Sequence, residues 1–145
     1  MKRVFKDKPI YEITIRKFES PSQINSKDLI RRFCISIGLL QPGDSRDIIV
    51  EILEMFLKAK KQKKFLKSED IEKQLKNLKG SAGSNIRRHL LRLKRYGIIE
   101  KMSEGYRIKE WDSLENIFKH HIENFLIKPA IERILEYCRS IDNSL

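Results

Sequence analysis

Two cysteines are all that this 145-residue chain contains, Cys34 and Cys138. They stand far apart, with neither CxxC nor Cys/His spacing. Both read as buried free thiols, so no redox role and no metal site is expected. No apolar run approaches the roughly 18–20 residues that a membrane span requires. The start, Met1-Lys2-Arg3-Val4-Phe5-Lys6, is basic and lacks the apolar stretch of a signal peptide. A cytoplasmic protein without a membrane partner is the expectation. Glycine and proline are few, six and four, so breaks are few. There is no low-complexity tract and no internal repeat. Catalytic patterns are missing too. Gly80-Ser81-Ala82-Gly83 lacks the Lys-Ser/Thr of a phosphate-binding loop. No Ser/His/Asp or Cys/His set has catalytic spacing. His120 and His121 are adjacent, and on a helix they diverge by roughly 100°. His121 reads as partly buried, His120 as exposed and His89 as a helix-packing residue. The chain is expected to be no enzyme and to need no cofactor.

What is present is positive charge, unevenly spread. The chain carries 31 Lys/Arg against 20 Asp/Glu, a net of +11. Residues 58–102 hold 15 basic and 4 acidic side chains, and the remainder holds sixteen of each sign. All the excess therefore sits in one segment, which favours a polyanionic partner, nucleic acid first. With 40% hydrophobic residues the chain has a core to build. Its length suits one domain with an appended dimerisation element.

The pattern along the chain is mostly helical. Residues 10–18 alternate, with Tyr11, Ile13 and Ile15 opposite Glu12, Thr14 and Arg16, which predicts a half-buried strand. A first helix starts at a cap on Asn25 or Ser26, buries Leu29, Ile30, Phe33, Cys34 and Ile37, and stops at Gly38. Asp44 or Ser45 caps a second helix, with Asp47 near its positive end and Ile48, Ile49, Ile52, Leu53, Phe56 and Leu57 inside. It ends in the cationic run 58–64. Phe65 and Leu66 precede a third helix, capped by Ser68, with Ile71, Leu75 and Leu78 inward. The turn Gly80-Ser81-Ala82-Gly83-Ser84 leads to a basic helix from Asn85 to Tyr96, stopped at Gly97. Its buried stripe is Ile86, Leu90 and Leu93, widened by Leu91. Two short strands follow, Ile98–Met102 and Tyr106–Lys109. An Asp112/Glu115 capping pair opens a long C-terminal helix with the stripe Leu114, Ile117, Phe118, His121 and Phe125. Pro129 should kink it or start a new helix. A second stripe then runs through Ile131, Ile134, Leu135, Cys138 and Ile141.

Residues 84–101, Ser-Asn-Ile-Arg-Arg-His-Leu-Leu-Arg-Leu-Lys-Arg-Tyr-Gly-Ile-Ile-Glu-Lys, resemble the recognition-helix-to-wing segment of archaeal and bacterial winged helix-turn-helix regulators. The likeness covers about 65–109, and the stretch 38–47 is similar more weakly. It implies a mainly α fold, a three-helix core with a β-wing, and usually DNA binding. Three regions follow: 1–43 packing on the core, 44–110 forming the winged module, and 111–145 forming a helical dimerisation region. Residue chemistry then assigns roles. Asn85, Arg87 and Arg88 lie early on the basic helix, where base edges are reached. Ser84, Arg92, Arg95, Lys60, Lys61, Lys63, Lys64, Lys101 and Arg107 would hold the phosphate backbone. Lys58 and Lys109 lie beside them. Glu104 at the wing tip would repel phosphate, which argues against wing insertion into the minor groove. Leu114, Phe118, Phe125, Ile131, Ile134, Cys138 and Ile141 would dimerise the chain. The expected function is sequence-specific double-stranded DNA binding by a homodimeric transcriptional regulator. The alternatives are a winged-helix protein-interaction module, which an arginine-rich face disfavours, and RNA or ribosome binding, which the scarcity of aromatics on that face disfavours.

Overall fold

The computed structural model describes residues 6–44 and 47–145. In chain order the elements are α1 (Ser26–Ser36), α2 (Ile48–Lys61), α3 (Ser68–Leu75), α4 (Gly83–Arg95), β1 (Ile99–Met102), β2 (Gly105–Ile108), α5 (Leu114–Ile117), a π-helical segment (Phe118–Ile127) and α6 (Lys128–Ser144). The fold is mainly helical, with a small antiparallel sheet in which Ile99 faces Ile108 and Met102 faces Gly105. Leu66 adds a single bridge to the other edge of β2, exchanging backbone bonds of 2.8 and 2.9 Å with Tyr106.

The core forms around α2. Ile48, Ile49, Ile52, Leu53 and Phe56 recur at helical spacing and are all buried, and Val50 is buried as well. Ile71 and Leu75 of α3, then Ile86, Leu90 and Leu93 of α4, pack into the same cluster, which Ile98, Ile99 and Ile108 of the sheet region close. Burying a side chain of this size is worth roughly 1.5–3 kcal/mol, so this cluster is the main source of stability. Ile117 and Ile122 dock the start of the C-terminal helical region onto it.

Local chemistry sets the ends of the helices. Asn25 caps α1 by accepting the Asp28 N–H at 2.8 Å, as its side chain suggests. Gly38 ends it with φ +80°, and a Cβ there would sit 2.7 Å from the Thr14 Cβ. Asp47, not Asp44, stands at the N-cap of α2, and its carbonyl accepts the Val50 N–H at 2.9 Å. Ser45, the other candidate cap, lies outside the described residues. The end of α2 is a Schellman turn. Lys63 takes φ +49°, its N–H meets the Lys60 carbonyl, and the Lys64 N–H meets the Ala59 carbonyl. Ser68 is the first residue of α3 and not its cap; Lys67 holds that place, and Asp70 accepts the Lys67 backbone N–H at 3.1 Å. The expected Asp112/Glu115 pair gives way to Ser113, whose hydroxyl accepts the Asn116 N–H at 3.1 Å.

The run 10–18 forms no strand. It crosses the surface extended, held by Arg16, whose N–H donates to the Ser36 carbonyl at 2.8 Å and whose guanidinium donates to the Ile35 carbonyl at 2.9 Å. Tyr11 and Ile15 are exposed, and Ile13 is half-buried. Alternation supplies the spacing of a strand, but among the described residues no strand lies alongside to complete a ladder. Leu29, Leu78 and Leu91, expected inside, are each about 40% or more exposed, while Ile35 is buried instead. Cys34 is buried as expected, but Cys138 is exposed.

Pro129 does mark a change of helix. It has no N–H to give to the preceding turn, so regular α bonding cannot run through it. The backbone takes π spacing over Phe118–Ile127 and returns to α at Lys128, with Pro129 in the first turn of α6. No residue of α6 is buried. No helix among the described residues is long and apolar enough to cross a membrane.

Candidate nucleic-acid interface

The basic helix begins earlier than its sequence suggests, at Gly83, with Ala82 at the N-cap. Its stripe Ile86, Leu90 and Leu93 is buried to within 1%. That fixes the rotation of α4 and turns Ser84, Arg87, Arg88, Lys94 and Arg95 outward, all exposed. Leu91 lies on the exposed side with them. The helix ends at Gly97, whose φ of +76° closes another Schellman turn; a Cβ there would meet the His121 Cβ at 3.1 Å.

The arginines are not equivalent. Arg87 is 65% exposed, with one guanidinium nitrogen 3.6 Å from Glu72 of α3. Arg88 donates to the Asn85 side-chain Oδ1 at 2.8 Å, and the Asn85 side-chain Nδ2 donates to the Gly80 carbonyl at 2.6 Å. Asn85 thus has both ends of its amide engaged. It braces the turn between α3 and α4 and aims Arg88, which is a different task from the base contact expected of it. Arg92 is half-buried and donates to the Gly38 carbonyl at 3.1 Å, capping the end of α1. It ties two helices together and does not stand out toward solvent. Arg95 is exposed at the last turn of α4.

Cations elsewhere divide in the same way. Lys61, Lys63 and Lys64 are exposed at the end of α2. Lys60 instead donates to the Asp112 carbonyl at 3.1 Å. Arg107 bonds Glu100 at 2.7 Å across the hairpin and lies against the Phe65 and Trp111 rings, 5.8 and 5.1 Å from their centroids, so it is a structural cation. Against burial, which alone would raise it, the Glu110 N–H and then the same arginine hold the Glu100 carboxyl below its ordinary range. Lys101 stays exposed beside the Tyr106 ring. At the hairpin tip the Ser103 hydroxyl bonds Glu104 and lowers its pKa, which keeps that carboxylate charged.

One cluster escaped the sequence. Lys67 and Ser68 at the start of α3, Arg87 of α4, and Lys101 and Tyr106 of the hairpin line a cleft of about 310 Å³. Three cations and the hydroxyls of Ser68 and Tyr106, from three elements, converge there beside the N–H groups of a helix start, with Glu69 as the opposing charge. The signal was present in Lys67-Ser68, but only the Leu66 bridge to Tyr106 brings that pair against the hairpin.

His89 packs inside, 7% exposed, and its Nδ1 has no hydrogen-bond partner. Burial, then the charges of Arg92 and Arg88, push its pKa down to about 4. It is a neutral packing group on the inner side of α4. Burial raises the Cys34 thiol to about 12, which leaves it inert. His121 is half-buried, stacked on Phe125 with centroids 6.2 Å apart, and His120 is exposed. Among the described residues no group of three His, Cys, Asp or Glu is placed to hold a metal.

The residues expected to dimerise also separate. Leu114 and Phe118 are half-buried against the core, whereas Phe125, Ile131, Ile134, Cys138 and Ile141 are exposed. Comparison with protein-family models, with curated proteins and with solved structures finds no match to this chain.

Proposed function

We propose that the chain is a winged helix-turn-helix protein that binds double-stranded DNA in a sequence-specific manner and acts as a dimeric transcriptional regulator. It would work by occupying its site and not by catalysis. The observation that carries this reading is the outer side of α4, where Ser84, Arg87, Arg88 and Arg95 are exposed on a helix whose opposite stripe is locked into the core. Supporting it is the order of parts, α2, the Leu66 bridge, α3, α4 and the β1–β2 hairpin, which is that of a winged module. In such a module α4 enters the major groove. Arg87 and Arg88 then read base edges. Lys61, Lys63, Lys64, Lys101 and Arg95 hold phosphates, and the cleft at Lys67 and Ser68 takes one more. Asn85, Arg92, Lys60 and Arg107 shape the surface from behind.

Selection of bound sequences from random duplex DNA, with single-stranded DNA and RNA as competitors, tests the proposal. A duplex motif enriched over both competitors is the expected result. Preference for RNA or single strands, or no enrichment, would overturn it.

A further inference from the structure

The apolar face of α6 carries no cover among the described residues, yet it is not a random patch. From Ile127, the last residue of the π-helical segment, through Ile131, Ile134, Cys138 and Ile141 of α6 to Leu145 just after it, apolar residues follow one another at alternating steps of four and three. Those are the a and d places of a heptad, sustained over five steps. Ile127 is half-buried and the others are exposed. Charged residues are kept off the seam. Glu132, Arg133, Glu136 and Arg139 lie on the outer side, where Arg133 and Glu136 pair with each other.

We propose that this face is covered by the α6 helix of a second copy of the chain, running antiparallel in full overlap about a two-fold axis at the level of Glu136. This rests on the dimer named above and adds its partner surface, direction and register. Three features select the arrangement. First, the layers close on themselves. Ile127 meets Leu145, Ile131 meets Ile141, and Ile134 meets Cys138 of the second copy, and each pair is centred on position 136. Second, the flanks match. In an antiparallel pair the flanking residues on each side face their own kind across the seam. That sets Lys128 against Asp142 of the second copy twice, Leu135 against Leu135, and Tyr137 against Tyr137. Third, the core residues suit it. Isoleucine occupies every d place, which disfavours a parallel two-stranded pair, and a parallel pair would also leave Lys128 two heptads from Asp142. Covering on the order of 90 Å² at each of six side chains per copy gives about 1,000 Å², the lower bound of a specific interface. The helix does not have to nucleate on binding, because the π-helical segment that runs into it is already docked through Ile122.

Two measurements on the full chain test this. Sedimentation equilibrium should show a dimer at micromolar concentration. Lys128→Glu should raise the dissociation constant about tenfold or more, by setting two carboxylates together at each end. Lys128→Glu combined with Asp142→Lys should restore it. Ile134→Cys, oxidised with glutathione disulfide so that two protein thiols give one disulfide and two reduced glutathiones, should link position 134 of one copy to Cys138 of the other. The unaltered chain should form no Cys138–Cys138 link, because four residues of axial offset place those Cα atoms roughly 10 Å apart, beyond disulfide reach. A monomer at micromolar concentration, a Cys138–Cys138 link in the unaltered chain, or a charge reversal that the second substitution does not restore would each overturn the arrangement. A monomer that still selects a duplex sequence would refute the pairing alone. A dimer of this geometry with no DNA preference would refute the DNA reading alone.

Discussion

At the residue scale, the side chains of α4 fall into two populations that a helical wheel does not separate. Arg87 and Arg92 are both basic and five residues apart, but one reaches solvent and the other spends its guanidinium on the end of α1. Replacing them should therefore do different things. Arg87→Ala should cost about 1–3 kcal/mol of binding to the selected site and relax the preference at one base pair, with little loss of fold because the Glu72 ion pair is exposed. Arg92→Ala should lower the stability of the free protein, by about 1.5–3 kcal/mol for a hydrogen bond from a charged donor. Thermal unfolding and sequence selection on each variant check the split. His89 gives a second test. Its pKa is about 4 in the folded chain, against an ordinary 6.5. The unfolded chain takes up the proton first as pH falls. The contribution is complete above about pH 6.5 and lost between 6.5 and 4, up to roughly 3 kcal/mol in all. His89→Leu should flatten the pH dependence of stability across that window. If the variant keeps the full slope, the loss belongs to other groups. The sequence showed the residue types of this surface and their order. It did not show that Asn85, Arg92, Lys60 and Arg107 are spent internally, because their partners, Gly80, Gly38, Asp112 and Glu100, are mostly backbone carbonyls brought near by tertiary packing.

At the scale of elements, periodicity was legible in the main buried stripes of α2 and α4, while Leu29 of α1 and Leu91 of α4 fell on the exposed side. α2 and α4 carry their inner residues at the spacings the sequence displays, and Asn25, Gly38 and Gly97 mark ends as their chemistry dictates. Local chemistry failed where a partner had to exist. Residues 10–18 have the alternation of a strand but no neighbouring strand among the described residues, and the Arg16 N–H goes to the end of α1 instead. The Schellman turn at Lys63 was also hidden, since a lysine stands where glycine is usual. That substitution of roles is itself testable. Lys63→Gly removes an exposed cation and relieves a left-handed lysine, so it should stabilise the fold by about 0.5–1 kcal/mol while weakening duplex binding. A parallel fall in melting temperature and affinity would show that Lys63 is held by contacts other than the turn.

For the whole molecule, charge and apolar surface are segregated. The net +11 resides in 58–102, between a segment that Ile13 and Phe18 pack on the core and a C-terminal helix with an apolar seam. Composition alone revealed the first of these asymmetries. The second needed the fold, which shows that Leu114 and Phe118 serve the core while the seam beyond Ile127 stays uncovered among the described residues. Both follow if basic modules are carried in pairs to a polyanionic duplex. The direct measurement is the affinity of the full chain for a labelled duplex carrying the selected sequence, taken across a range of salt. With about six phosphates neutralised, log K should fall with log salt at a slope near −5, and Lys61→Ala should make that slope shallower by about one unit without changing the selected sequence. Affinity that does not depend on salt, or no duplex binding at low salt, would contradict the assignment of this surface to DNA.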